Sequence, residues 1–168
     1  MRRLALLAAT GALVLGLGAQ PVAARTPGPT IVETALAVNA DSGEFTYLIQ
    51  AVVRADLVDT LNGNRQFTVF APTDAAFEHL FAALGVDGIA DIPVATLRAV
   101  LLYHVAPGER FSDDVIGSSR IRTLSKGFVI PSVHDGAAWV NDARIVAADV
   151  DASNGVIHVI DAVLLPGS

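Results

Sequence analysis

The chain has 168 residues, 52% of them hydrophobic, with 17 acidic side chains against 11 basic ones and no cysteine. A single domain of this size buries about two-thirds of its surface, enough to be stable without disulfides. The formal net charge of −6 argues against partners with phosphate backbones, and so against nucleic acid. The missing cysteine excludes thiol chemistry and any lipid anchor attached to a cysteine of this chain.

Arg2 and Arg3 open a short basic start, the 15 residues from Leu4 to Gly18 are apolar, and Val22-Ala23-Ala24 supplies small side chains. That is the plan of a secretory signal peptide over residues 1–24, cleaved after Ala24. The apolar run is shorter than the roughly 20 residues of a spanning helix, so no membrane span is expected in the mature chain. Losing Arg2 and Arg3 with the leader takes the formal charge from −6 to −8. A secreted or periplasmic product follows, with residues 25–29 as a linker and residues 30–166 as one domain.

Within that domain Thr30 and Glu33 stand three apart, a capping-box spacing that predicts a helix from Ile31. Phe45, Leu48, Ile49 and Val52 recur at helical spacing. A turn at Asn62-Gly63 precedes a predicted strand over 66–70, ended by Pro72. Thr73 or Asp74 caps the next helix, whose stripe is Phe77, Leu80, Phe81 and Leu84, with Gly85 as its stop. Another helix from about Thr96 puts Leu97, Val100, Leu101 and His104 on one face. Short Val- and Ile-rich runs follow at 120–124, 128–133, 138–140, 144–150 and 156–160, separated by Gly, Asn and Asp turns. Helices first and strands afterwards predict an α+β domain. The last run reads as a strand buried on both faces, entered through an Asn154-Gly155 turn and closed by Pro166.

Three strings also resemble one known family. NGVIHVIDAVLLP at 154–166 is similar to the C-terminal signature of fasciclin-type (FAS1) domains, FTVFAPTDAAF at 67–77 to their N-terminal box, and the segment Leu102 to Gly108 to their Tyr-His segment. The order and spacing match, and together they cover almost all of the chain beyond the leader. The resemblance implies a wedge of two β-sheets flanked by N-terminal and central helices, with the early strand paired to the C-terminal ones. It further implies a non-enzymatic protein of cell adhesion or extracellular or periplasmic protein–protein interaction, whose partner is an extracellular or cell-surface protein. Some similar proteins carry a small apolar ligand such as a carotenoid or lipid, which gives the alternative.

The candidate residues each carry two readings. His158 lies among Val156, Ile157, Val159 and Ile160, with no base or nucleophile beside it, and is expected to be a neutral, hydrogen-bonded core imidazole. Asp74 has a cap's position; because the family's two boxes lie side by side, Asp74 and Asp161 are expected to join them in one hydrogen-bond network. Thr73, Asp74, His158 and Asp161 are therefore the structural signature. In animal matrix relatives a Tyr-His pair flanked by aliphatics is implicated in integrin recognition, which makes Tyr103 and His104 the partner-binding candidates. The helical stripe turns His104 towards the core instead. Asp149 to Gly155 superficially resembles a calcium loop, but its glycine falls at the seventh position and no glutamate stands at the twelfth. His79 and His134 lack metal-ligand spacing, and Trp139 fits either a core anchor or an exposed binding aromatic. No catalytic residue, metal or cofactor is expected.

Overall fold

A computed structural model of the chain describes residues 28–167. The signal-peptide expectation, and most of the linker, lie outside these residues. Thr30 accepts the Glu33 N–H while Glu33 Oε2 accepts the Thr30 N–H at 2.8 Å, so the capping box is complete and starts α1 (Ile31–Ser42). Next come α2 (Thr46–Arg54) and a single turn, α3 (Val58–Leu61), which the periodicity did not signal. Strand β1 (Phe67–Pro72) runs two residues further than its sequence suggests: Pro72 has no N–H, but Thr73 behind it donates its N–H to the Ile160 carbonyl and continues the pairing. Thr73, not Asp74, caps α4 (Asp74–Leu84), and Gly85 ends it in the left-handed conformation. A 3-10 turn (Ile89–Asp91) leads to α5 (Val94–Tyr103), and this helix begins two residues before Thr96.

Two short elements were not anticipated, β2 (Val105–Pro107) and α6 (Ser112–Ile116). The C-terminal half then forms β3 (Ile121–Arg122), β4 (Phe128–Val129), β5 (Pro131–His134), β6 (Ala137–Val140), β7 (Ala143–Ala152) and β8 (Gly155–Ile160). The expected strand over 128–133 is thus broken in two. Asn141 takes both backbone groups of Ile130, its side chain accepting the Ile130 N–H and its own N–H donating to the Ile130 carbonyl, each at 2.8 Å. Ile130 therefore has nothing left for a ladder, and Pro131 behind it has no N–H to offer.

One mixed sheet has the order β2-β1-β8-β7-β6-β5, and β3 pairs β4 in a second, two-stranded sheet. The centre is a parallel pair, β1 with β8, in register from Phe67 opposite Gly155 to Pro72 opposite Ile160. So the two signature strings do lie side by side, as expected. All six residues of each central strand are buried. The strand ends at Ile160, well short of Pro166, because Asp161 turns back to accept the Arg144 N–H. Two cores flank the pair: a larger apolar one under α1, α2, α4 and α5, which includes Phe45, Phe67, Phe77 and Phe81, and a smaller one, with Phe70, Tyr103, Val115, Val129 and Ile160, inside the wedge.

Asn154-Gly155 does more than turn the chain. Gly155 lies so close to β1 that a Cβ would stand 1.9 Å from the Phe67 carbonyl oxygen. Asn154 is itself buried; it accepts the Ile31 N–H at 2.8 Å and donates to the carbonyls of Leu61 and Gly63. One side chain thus ties α1, α3 and the loop before β1 to the β7–β8 hairpin.

Candidate functional site

The Tyr-His segment sits where α5 ends, and both rings point inward. Tyr103 is 4% exposed and His104 2%. The Tyr103 hydroxyl donates to the Phe128 carbonyl at 2.7 Å and accepts from Asn141 Nδ2 at 3.2 Å, so it grips two turns of the wedge at once. Gly127 lies against the same ring, where a Cβ would stand 2.8 Å from Cε2. His104 Nδ1 is 2.7 Å from the Val100 carbonyl, and Nε2 accepts the Leu164 N–H at 2.9 Å. Only a neutral ring protonated on Nδ1 satisfies both contacts. Burial lowers its pKa to about 4, against the opposing pull of the Val100 carbonyl. The dipeptide is a double latch: Tyr103 holds the hairpins and His104 holds the chain after β8. Neither ring is presented to a partner from this position.

His158 is fully buried, stacked on Phe70 with ring centres 5.8 Å apart. Its Nε2 is 2.8 Å from the Arg110 carbonyl, and Nδ1 accepts the Asp149 N–H at 3.3 Å. Desolvation lowers its pKa, outweighing the Arg110 carbonyl and the Asp149 charge. Again the neutral ring fits, here protonated on Nε2. With both nitrogens engaged by backbone, neither buried histidine has a lone pair free to serve as a base. Next to it, Thr68 donates to the Gly108 carbonyl at 2.7 Å and accepts the Arg110 N–H at 2.9 Å. Asp149 accepts both the N–H and hydroxyl of Ser112 at 2.6 Å, and these bonds with His158 outweigh desolvation and lower its pKa. The supposed calcium loop is therefore a bulged strand edge that fastens the start of α6.

On the opposite side of the sheet, α1, α2 and α3 wall an open groove of about 190 Å³. Its lining is wholly aliphatic, with Leu36 and Val53 exposed at 47% and 62%. His79 and His134 are on the surface. Trp139 is half-buried in β6, and among the described residues its indole N–H has no partner. Among the described residues no group of three or more His, Cys, Asp or Glu is placed to hold a metal ion, and no helix is long and apolar enough to cross a membrane.

Residues 43–166 match the Fasciclin domain family. This chain belongs to that family. It is 42% identical over 144 residues to Protein sll1483 of Synechocystis sp., covering 86% of this chain and 77% of that one. To the Immunogenic protein MPB70 of Mycobacterium bovis it is 35% identical over 170 residues, covering 95% and 85%. A solved FAS1 domain pair from the insect cell adhesion molecule Fasciclin I superposes with a TM-score of 0.69 at 20% identity, over 83% of this chain and 51% of that one.

Within this Fasciclin domain the two boxes are joined differently from expectation. Asp74 Oδ1 accepts the Tyr47 N–H at 2.8 Å, at the start of α2, and Asp161 Oδ1 accepts the Arg144 N–H at 2.8 Å, on β7. The carboxylates serve separate bonds and share no network. The boxes meet through backbone instead: the β1–β8 ladder continues into the Thr73 N–H, which donates to the Ile160 carbonyl at 3.1 Å. Asn154, Thr68 and Asn141 were not singled out as anchoring residues. Only Asn154 carried a signal, and the Asn-Gly pair was explained by its turn alone.

Proposed function

We propose that this chain is a non-enzymatic Fasciclin domain exported from the cytoplasm, where it works by binding protein surfaces in adhesion or extracellular or periplasmic assembly. The observation that carries this reading is where its polar and apolar groups are spent. Tyr103, His104 and His158 are consumed by internal backbone bonds. Large apolar side chains, by contrast, stand in water: Ile130 at 60%, Val133 at 54% and Phe128 at 43%. Three such side chains within the six residues 128–133 support a surface that is covered in use. The solved relative's origin in a cell adhesion molecule agrees with it. The leader-like sequence of residues 1–24 supports export, and the acidic composition fits a protein or apolar partner better than nucleic acid.

The all-aliphatic groove favours a second reading, a carrier of a small apolar ligand such as a carotenoid or lipid. A native mass spectrum of protein purified gently from its own source separates the two. Association predicts a bare chain or one bound to another polypeptide. Extra mass that organic extraction removes would replace association with transport.

A further inference from the structure

The dipeptide Asn-Gly occurs twice, as Asn62-Gly63 between α3 and β1 and as Asn154-Gly155 between β7 and β8. Glycine leaves the backbone nitrogen behind the asparagine unhindered, so in a pliant chain that nitrogen can attack the side-chain amide. The fold treats the two pairs in opposite ways. Asn62 is exposed, and its side chain makes one bond, Oδ1 accepting the Thr30 hydroxyl at 2.8 Å. Its own N–H is held by the Val58 carbonyl at 2.9 Å, but among the described residues no hydrogen bond uses the Asn62 carbonyl or the Gly63 N–H. The peptide unit between the two residues can therefore turn without breaking a bond. Asn154 is buried, with Oδ1 taken by the Ile31 N–H and Nδ2 given to the Leu61 and Gly63 carbonyls. Its carbonyl accepts the Phe67 N–H at 3.0 Å, and Gly155 lies hard against the Phe67 backbone. Turning that unit breaks these contacts together.

We infer that Asn62 is a site of spontaneous covalent modification, deamidating in the folded protein, and that burial silences the same chemistry at Asn154. The Gly63 nitrogen gives its proton to solvent hydroxide and bonds to Asn62 Cγ. Nδ2 takes up a proton and leaves as ammonia, which closes a succinimide ring. Water then opens the ring at either carbonyl and leaves an aspartyl or an isoaspartyl residue. In sum, one amide and one water become a carboxylate and ammonium. The fold accommodates the product, because a carboxylate accepts the Thr30 hydroxyl as the amide oxygen did. It adds a negative charge to a polar cleft that Glu109 and Asp151 also line. At Asn154 the same exchange would remove the N–H groups that hold Leu61 and Gly63 and would bury a charge. The bonds that silence this position thus keep the fold from losing its own anchor.

Long incubation of the purified chain in mildly alkaline buffer, followed by tryptic mapping, tests this. Cleavage after Arg54, Arg65 and Arg144 puts the two pairs on separate peptides, residues 55–65 and 145–168. Fragmentation should place the change from amide to acid at Asn62 and not at Asn64, where the side chain of the following Arg65 hinders attack. In the folded chain residues 145–168 should convert at least about tenfold more slowly than residues 55–65, since attack there waits on an opening of the structure. In urea the two rates should converge. Gly63→Ala should suppress conversion at Asn62 and keep the parent's melting temperature. Gly63 has no positive φ, and its Cβ would stand 3.4 Å from the nearest atom, the Thr60 carbonyl oxygen. Asn62→Gln, whose longer side chain closes its ring far more slowly, should suppress it without touching the glycine. An unconverted peptide 55–65 from the folded chain would overturn the site, as would conversion that Gly63→Ala leaves at the parental rate. Equal rates at the two pairs in the folded chain, or a gap that persists in urea, would overturn the protection of Asn154 by the fold.

Discussion

The central strand pair presents two faces built on different terms. Towards the helices it shows Val69, Ala71, Ile157 and Val159, packed into the larger core without a polar atom. Towards the wedge it shows Thr68, Phe70, His158 and Ile160, and two of these four need hydrogen bonds. Those bonds go to irregular backbone: Thr68 and His158 hold residues 108–110, much as His104 holds Leu164. Helices and strands satisfy their own backbone and can be held by apolar area alone. A connecting segment pressed against a core cannot, and its N–H and C=O groups must find side chains. The helical face therefore draws its stability from area, and the wedge face from neutral polar groups whose worth depends on pH.

The harshest test strikes the seam that both faces share. Gly155→Ala places a methyl 1.9 Å from the Phe67 carbonyl oxygen, at a φ of +150° that side chains rarely adopt. The β1–β8 ladder must shift, and a loss of at least about 4 kcal/mol is expected. A urea midpoint close to that of the parent would show that the strands are not held this close.

Next comes a contrast between the faces themselves. Ile157→Ala removes aliphatic volume beneath the helices and should cost about 2–5 kcal/mol, as buried truncations do. Nothing in that contact titrates, so the cost should be the same at pH 7 and pH 5. A penalty that changed with pH would mean that the larger core feels the histidines across the sheet.

The wedge face should behave oppositely. His104 has its pKa lowered from 6.5 to about 4 in the folded state, so between those values the unfolded chain binds the extra proton. Its contribution is complete above pH 6.5 and drains away as the pH falls towards 4, amounting to about 3 kcal/mol. His158, also lowered, acts in the same direction. Urea unfolding from pH 7 to pH 4 should show this slope, and His104→Gln should flatten it while lowering stability at pH 7. An unchanged slope in the variant would assign the acid sensitivity to other groups.

The same division explains what could be read from the sequence. Capping box, stripe periodicity, Gly85 and the strand-rich C-terminal half are local signals, and each produced the element it implied. His158 was legible because its neighbours are all apolar. Tyr103 and His104 were ambiguous, since a motif suggested the surface and the stripe suggested the core; burial decides for the stripe. The break at Ile130 was not legible, because it depends on Asn141 eleven residues away. Nor were the separate bonds of Asp74 and Asp161, whose partners are 27 and 17 residues distant. The aliphatic groove appears in no local pattern, as its walls come from three helices and both central strands.

Those two carboxylates offer the finest distinction between the sides. Asp74 fastens the start of α2 on the helical side, and Asp161 fastens Arg144 on the strand side. Each single change to Ala should cost about 1 kcal/mol, the usual net worth of one hydrogen bond where solvent reaches the acceptor. Had the two formed one network, the double variant would depart from the sum of the singles by about 0.5–3 kcal/mol. Separate bonds require additivity within about 0.5 kcal/mol, which a double-mutant cycle by urea unfolding resolves. Additivity would leave the Thr73 N–H to Ile160 bond and the ladder as the link between the two signature strings, because backbone alone joins them there. A coupling above that limit would restore the shared network and shift part of the join to side chains.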